Sequence, residues 1–213
     1  MINQQELFEN QLDKKNDWVG NKISSYVMNG CSNHSDKERQ NEDYYATDPR
    51  AVEELLKKES FQHSIWENAC GGCHITNVLK THGYNVFSSD LIDRKNPSQN
   101  AVIDFLTYKD SGKKIDIITN PPYKYAKEFV EHSIELIEDG CKVAMFLKLT
   151  FLEGGGRKEL FKKYPPKRIH VFSKRVNCAK NGNEKEFNES SAVCYAWFVW
   201  EKGNKENPII DWI

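Results

Sequence analysis

Two consecutive prolines end an apolar run near the middle of the chain. The run 115–119 (Ile-Asp-Ile-Ile-Thr) is rich in β-branched residues and is typical of a buried strand. Pro121 and Pro122 cannot donate the hydrogen bonds of a sheet and both fix φ, so the chain leaves the sheet at Asn120. Apolar residues then recur at three- and four-residue spacing, at Ala126, Phe129, Val130, Ile134 and Ile137. This spacing predicts a helix that ends at Gly140.

Strand and helix patterns alternate along most of the chain. Seven apolar runs predict strands, at 64–67, 84–89, 101–105, 114–119, 141–149, 168–172 and 192–200. Helical patterns separate most of these runs, and such alternation favours parallel pairing through right-handed crossovers. The sequence therefore predicts an α/β fold with a doubly wound, mostly parallel sheet.

Size and charge limit the number of domains and the kinds of partner. At 213 residues, 38% of them hydrophobic, the chain supports a single well-buried domain, which we place at 44–213. Residues 1–43 are polar and mostly without periodicity, and we expect them to form an N-terminal extension. The formal net charge of −1 excludes a uniformly basic surface, so any contact with nucleic acid must come from a local patch.

The sequence contains no sign of export or of membrane insertion. Its first residues lack the basic and apolar regions of a signal peptide, and no apolar run approaches the length of a membrane span. We therefore expect a cytoplasmic protein with no membrane contact. In a reducing compartment its six cysteines should be free thiols.

The tetrapeptide Asn120-Pro121-Pro122-Tyr123 carries the clearest chemical signal. It follows a central strand, at the edge where open α/β sheets bind ligands. It also matches the signature Asn/Asp-Pro-Pro-Tyr/Phe/Trp of enzymes that methylate planar nitrogens with S-adenosylmethionine. The amine of adenine N6 is a poor nucleophile because its lone pair is delocalised into the ring. The resemblance implies that the Asn120 side-chain oxygen and the Pro121 carbonyl accept hydrogen bonds from this amine.

The same resemblance assigns the other two residues of the tetrapeptide. Pro122 completes a rigid diproline that keeps the two acceptors aimed at the amine. Tyr123, expected as an exposed aromatic, would stack on the face of a base swung out of its strand. A proline-rich turn without chemistry is the alternative for this stretch.

The first strand-to-helix turn resembles the cofactor loop of the same enzymes. Such a turn brings glycines and a helix N-terminus together. Its sequence at 67–73, Glu-Asn-Ala-Cys-Gly-Gly-Cys, resembles the pattern Glu/Asp-x-Ala/Phe-Cys/Gly-Gly-x-Gly. The resemblance places four residues at the cofactor: Glu67, Ala69, Cys70 and Gly71. Cys73 stands where the pattern has its last glycine, which predicts a slightly opened turn or weaker cofactor binding.

The segment 70–74, Cys-Gly-Gly-Cys-His, allows other interpretations. It has the spacing of a c-type haem attachment site, and its Cys-x-x-Cys also fits a redox pair or half of a zinc site. Haem attachment usually requires export, and a zinc site needs a second ligand pair that the sequence lacks. We therefore expect no metal and keep the haem or redox protein as an alternative.

Further residues match the family in the order of the chain. Tyr45 and Thr47 resemble the upstream segment that lies over the methionine end of the cofactor. Asp90, after the second strand, resembles the carboxylate that accepts from the ribose hydroxyls. Asp104 and Phe105 match the pair that holds the cofactor's adenine. As isolated residues, these could equally be loop caps, strand ends or core aromatics.

The matches share one order and span about residues 44–152. The chain resembles the N6-adenine DNA methyltransferases of phages and mobile elements, a class that also serves restriction–modification systems. The resemblance implies a Rossmann-like, seven-stranded methyltransferase sheet, S-adenosylmethionine as cofactor and DNA as partner. Methylation of RNA adenine and a catalytically weak S-adenosylmethionine-binding protein remain the alternatives.

A local surplus of positive charge follows the tetrapeptide. Residues 148–180 contain ten basic and two acidic side chains, so 148–191 is the predicted nucleic-acid-facing part. The residues predicted to bind nucleic acid are Lys148, Arg157, Lys158, Arg175 and Lys180. The polar loop 177–191 is the candidate for contacting flanking bases. No separate recognition domain fits in this length, and we expect a monomer or a homodimer.

Overall fold

The computed structural model describes residues 44–189 and 191–213, so the extension predicted at 1–43 lies outside the described residues. The strands are β1 (Tyr45–Thr47), β2 (Ser64–Glu67), β3 (Asn85–Asp90), β4 (Ala101–Val102), β5 (Asp116–Thr119), β6 (Lys142–Lys148), β7 (Arg168–Val171), β8 (Cys178–Lys180), β9 (Tyr195–Glu201) and β10 (Ile209–Trp212). The α-helices are α1 (Pro49–Lys58), α2 (His74–Thr81), α3 (Ala126–Leu136) and α4 (Lys158–Lys163). In this described part, no helix is long and apolar enough to cross a membrane.

Eight strands form the central sheet, in the order β4-β3-β2-β5-β6-β9-β7-β10. Only β9 runs antiparallel to its neighbours β6 and β7, which confirms the predicted mostly parallel sheet. The chain lays β3 and β4 on one side of β2, and β5 and β6 on the other. The order therefore reverses between β2 and β5, where open α/β sheets have their ligand crevice at the carboxyl ends of the strands.

The helices follow from local signals in the sequence. Asp48 caps α1 by accepting from the Arg50 N–H at 2.9 Å, and Pro49 is its first residue. The predicted apolar face of α3 is confirmed. The helix ends at Leu136 and not at the predicted Gly140, and all five predicted residues are buried: Ala126, Phe129, Val130 and Ile134 within α3, and Ile137 directly after it. A 3₁₀ turn, Tyr123–Tyr125, lies between the prolines and this helix.

The structure differs from the prediction at both sheet edges. The sheet has eight strands and not seven, because 209–212 pairs with β7. Ile209, Ile210 and Trp212 are all largely exposed, so this edge strand lacks the alternation by which half-buried strands are recognised. At the other edge β4 has only two residues, and Asp104 ends it by capping a 3₁₀ turn.

A second, two-stranded sheet lies apart from the main one. β1 and β8 pair antiparallel, with Thr47 opposite Cys178. The strand β8 belongs to the segment 177–191, which was predicted to be a loop. This small sheet joins the start of the described chain to its C-terminal third.

A buried charged cluster fastens the end of α1 to the main sheet. Glu59, at the C-terminus of α1, accepts from Lys142 Nζ at 3.0 Å and His170 Nε2 at 2.9 Å, and pairs with the Arg168 guanidinium. Burial alone would raise the pKa of Glu59, but these hydrogen bonds outweigh it and hold the pKa well below its ordinary value.

Candidate active site

Three strand-end segments meet at the reversal of the sheet order. The glycine turn follows β2, Asp90 ends β3, and the tetrapeptide Asn120–Tyr123 follows β5. Because β2 pairs in parallel with both β3 and β5, their carboxyl ends lie at one rim. The structure thus brings the predicted cofactor loop and the predicted catalytic turn to the same side of the sheet.

The side-chain amide of Asn120 is held by its nitrogen. Its Nδ2 donates to the Tyr45 carbonyl and to Thr47 Oγ1, both at 3.0 Å, and contacts Cys178 Sγ at 3.6 Å. Among the described residues none donates to its Oδ1 or to the Pro121 carbonyl. Two acceptor oxygens of the predicted catalytic turn therefore have no hydrogen-bond donor in the part of the chain that the structure describes.

Cys178 is a site residue that the sequence did not indicate. Its sulfur lies 3.6 Å from Asn120 Nδ2 and 3.5 Å from the Tyr123 hydroxyl, and burial raises its pKa. It reaches the tetrapeptide only because β8 pairs with β1. A short strand inside a polar segment leaves no periodic signal, so the sequence alone could not have identified it.

Tyr123 is half-buried, in contrast to the exposed aromatic that was predicted. Its ring packs 6.2 Å from the Tyr195 ring, between centroids, and Lys148 Nζ lies 5.4 Å from its centroid. Burial, with Cys178 and Tyr195 nearby, raises the pKa of Tyr123 well above its ordinary value. The hydroxyl therefore stays protonated. The ring follows the two prolines in a 3₁₀ turn and packs against Tyr195 of β9. Pro121 is buried and Pro122 exposed.

The glycine turn has left-handed backbone at two positions. Gly71 has φ +48° and Cys73 has φ +62°. The turn closes with a hydrogen bond from the Cys73 N–H to the Cys70 carbonyl at 2.6 Å, and α2 begins at His74. A left-handed conformation explains why the family pattern has glycine where this chain has Cys73. Cys70 is buried, as expected for a small loop residue.

Asp90 contacts the glycine turn directly. One carboxylate oxygen accepts from the Gly71 N–H at 2.8 Å, and the other accepts from the Ile92 N–H at 3.0 Å. Arg94 Nε lies 3.8 Å from that second oxygen. The structure thus places the predicted ribose carboxylate beside the turn, where it also orders the backbone of the loop.

Tyr44 lies over the glycine turn, which the sequence did not indicate. A Cβ at Gly71 would come within 2.6 Å of Tyr44 Cδ2, and one at Gly72 within 2.6 Å of its hydroxyl. The Arg94 guanidinium carbon sits 4.8 Å from the centroid of the same ring. The absence of side chains at residues 71 and 72 is what allows an aromatic group to approach this backbone.

Three further residues of the turn lie in different environments, and one of them fits a cofactor. The Asn68 side chain is buried, and neither its oxygen nor its nitrogen has a hydrogen-bond partner within 44–189 and 191–213. Such an amide requires a polar ligand or water, so the turn fits a cofactor with hydrogen-bonding groups. Glu67 has another role, since its carboxylate accepts from the Thr76 N–H at 2.8 Å and anchors α2. Burial raises the pKa of Glu67 well above its ordinary value. Ala69 is half-buried.

The predicted adenine pair does not lie as expected. Phe105 is only 2% exposed, and its ring packs against Trp66, Phe129 and His132. Little of the ring is open to a cofactor in this arrangement, and its stacking on the cofactor's adenine stays a prediction. Asp104 is exposed, and its carboxylate accepts from the Leu106 N–H at 3.2 Å. The early end of β4 causes both differences.

The basic residues predicted to bind nucleic acid occupy different environments. Lys148 lies at the rim beside Tyr123. Lys158, Arg175 and Lys180 are exposed, although Arg175 also donates to the Ser191 carbonyl. Arg157 is occupied internally, since its guanidinium donates to the carbonyls of 150, 151 and 153. A contact of this guanidinium with phosphate would compete with those three bonds.

Comparisons with known proteins identify the fold. No family model matches the chain, and no curated protein matches it. Among solved structures, the M protein of the type I restriction enzyme EcoKI is 14% identical, with a TM-score of 0.53 over 87% of this chain and 48% of its own. The type IIG restriction endonuclease BpuSI is 14% identical, with a TM-score of 0.56 over 86% of this chain and 28% of its own.

The 23S rRNA methyltransferase ErmE is also similar, at 15% identity and a TM-score of 0.53, over 76% of this chain and 71% of its own. This chain thus spans less than half of the two restriction-enzyme chains and most of ErmE. At such identities the similarity establishes the fold alone, which is the Rossmann-like fold of class I methyltransferases.

Proposed function

We propose that this protein transfers a methyl group from S-adenosylmethionine to the N6 amine of adenine in DNA. One observation supports this most. The Asn120 Oδ1 and the Pro121 carbonyl have no donor among the described residues, at the rim that also carries the glycine turn. Two fixed acceptors suit an NH₂ group, which has two hydrogens to donate.

The chemistry follows from these acceptors. Asn120 and Pro121 would hold both N–H groups of the amine, which directs its lone pair toward the glycine turn. When bound, S-adenosylmethionine supplies the electrophilic methyl group. The new N–C bond would replace the bond between the methyl carbon and the sulfonium sulfur, which leaves a neutral thioether. Neither acceptor is a base, so the proton lost by the amine would pass to water. A preorganised pair of acceptors requires no rearrangement during the reaction.

The residues proposed to hold the cofactor surround the glycine turn. Asp90 offers carboxylate oxygens, and the Asn68 amide, which has no partner among the described residues, offers further hydrogen bonds, while the backbone of Gly71 is proposed to border the cofactor. These groups act on the cofactor alone. The proposal therefore separates cofactor binding, at the end of β2, from capture of the amine, at the end of β5.

DNA is the proposed partner, and its target base must leave the helix to reach the rim. The similar structures include two restriction enzymes and one rRNA methyltransferase, so RNA is the second substrate to test. Lys148 lies beside the proposed catalytic turn, where it can contact a phosphate next to the flipped nucleotide.

The decisive experiment measures methyl transfer with radiolabelled S-adenosylmethionine. The protein is incubated with separate DNA, RNA and protein pools, and labelled nucleosides are identified by mass spectrometry. We expect N6-methyladenine in DNA. The control is Asn120→Ala, which should lose transfer while binding the cofactor within a few fold, because the amide acts on the amine. Label only in RNA or protein, or in N4-methylcytosine, would contradict the proposal.

A further inference from the structure

We infer that Thr47, together with the Tyr45 carbonyl, sets which end of the Asn120 amide faces the substrate. This makes Thr47 a positioning residue, and the inference rests on the proposed function. An amide side chain has similar size at both ends, and only one end accepts hydrogen bonds. Reversal of this amide would place its NH₂ toward the amine, and two groups of donors would then face each other.

The contacts on the nitrogen fix its orientation. The Tyr45 carbonyl can only accept, so it tolerates the NH₂ end of Asn120 and repels the oxygen end. Thr47 Oγ1 takes the second hydrogen at the same distance of 3.0 Å. Cys178 Sγ lies on the same side, at 3.6 Å. With both N–H groups occupied, the oxygen is turned away from β1.

Thr47 is suited to this role by its place in the fold. It is 2% exposed, and its backbone is paired with Cys178 across the two-stranded sheet. A buried hydroxyl on a paired strand is an anchor of fixed position. The same burial keeps Thr47 from the reacting atoms, so it acts through Asn120.

The test compares Thr47→Val, which removes the hydroxyl at nearly constant shape, with Thr47→Ser, which keeps it. For Thr47→Val we expect kcat for methyl transfer to fall about 10-fold, because a misaligned catalytic group costs rate. The Kd for S-adenosylmethionine should change less than threefold, and Thr47→Ser should restore most of kcat. A Kd that rises as much as kcat/KM falls would instead make Thr47 a cofactor ligand and overturn the inference.

Asn120→Asp supplies a second test with a different readout. At neutral pH a carboxylate would face the Tyr45 carbonyl, so two acceptors would oppose each other and activity should fall. A protonated carboxyl can donate to that carbonyl and still present its other oxygen. The activity of Asn120→Asp relative to the unaltered protein should therefore rise as the pH falls. Equal activity of both proteins at neutral pH would overturn the inference.

An NMR measurement keeps the inference separate from the proposed function. The side-chain NH₂ signals of Asn120 are assigned as the pair missing from Asn120→Asp. In the unaltered protein they should exchange slowly with solvent, and in Thr47→Val faster. If no substrate pool is methylated, the proposed function fails even when this pair is protected. If the pool is methylated and the pair exchanges as fast as exposed amides, only the orientation by Thr47 fails.

Discussion

The Tyr44 ring lies so close to Gly71 that a Cβ added there would sit 2.6 Å from its Cδ2. Gly71 also has φ +48°, so two independent requirements exclude a side chain at this position. The first is backbone conformation, and the second is contact with an aromatic ring. Gly112 separates these two requirements, because its backbone is also left-handed but no aromatic ring of the described chain lies near it. Its φ is +73°, and a Cβ there would meet nothing within 4 Å.

We expect Gly71→Ala to destabilise the protein more than Gly112→Ala does. Left-handed strain costs each variant about 1–2 kcal/mol, and collision with Tyr44 adds about 1–3 kcal/mol to Gly71→Ala alone. Urea denaturation measures both free energies of unfolding. Equal losses in the two variants would mean that the Tyr44 ring does not lie over the turn.

Tyr123 is expected to act through its ring. Tyr123→Phe loses the contacts of one hydroxyl, with Cys178 Sγ at 3.5 Å and with Tyr195, and keeps the ring, so kcat/KM for DNA should fall less than about threefold. Tyr123→Ala removes the stacking surface and should lower kcat/KM by about 10- to 100-fold. Steady-state kinetics with a DNA substrate tests both. A phenylalanine variant as impaired as the alanine variant would rule out stacking.

Arg157 and Lys158 are neighbours with different expected roles. Arg157→Ala removes donors from three backbone carbonyls and should lower the free energy of unfolding by about 1–3 kcal/mol. Lys158 is exposed, so Lys158→Ala should leave stability within about 0.5 kcal/mol. Lys158→Ala should weaken DNA binding and reduce the slope of log K against log salt concentration by about one. Denaturation measures the stability of both variants, and DNA binding is measured over a range of salt concentrations. If Arg157 were the phosphate contact, Arg157→Ala would reduce the salt dependence of binding and Lys158→Ala would not.

The Glu59 cluster should make stability depend on pH. The pKa of Glu59 is lowered in the folded protein, so its stabilisation is present above the ordinary pKa of about 4.3. It is lost as the pH falls from there toward the folded pKa. Glu59→Gln should cost about 2–4 kcal/mol at pH 7 and flatten this acid dependence. Urea denaturation from pH 7 to pH 3 measures both effects.

The control for this cluster is Glu54→Gln. Glu54 forms an exposed ion pair with Lys57 on the surface of α1. Exposed pairs contribute little, so this variant should change the free energy of unfolding by less than about 0.5 kcal/mol. If Glu59→Gln were equally mild, the buried contacts with Arg168 and His170 would not stabilise the fold.

Local patterns predicted most elements of the main sheet and the position of the proposed catalytic turn. The β-branched run before Pro121 forms β5, and the spacing from Ala126 to Ile137 matches the buried face of α3. These predictions succeed because strand ends at prolines and helix faces depend on neighbouring residues. The start of α1 is equally local, since Asp48 caps the helix and the adjacent Pro49 is its first residue.

The missed contacts are non-local. Nothing in the neighbourhood of Cys178 indicates that it pairs with Thr47 or touches Asn120. Phe105 was predicted to lie at the end of a strand. β4 is shorter than predicted, and Phe105 lies beyond it, buried in the core. Such outcomes depend on which distant segment competes for a surface, and this information is absent from a window of ten residues.

The pairing of β1 with β8 has a consequence for synthesis of the protein. Asn120 is anchored by Tyr45 and Thr47, while the strand that holds those residues in place is completed only at Lys180. A ribosome must therefore translate the chain as far as Lys180 before this strand can be secured. Translation products that end before β8 should contain the tetrapeptide but lack the paired strand that holds Asn120. We expect such truncated chains to have no methyl-transfer activity.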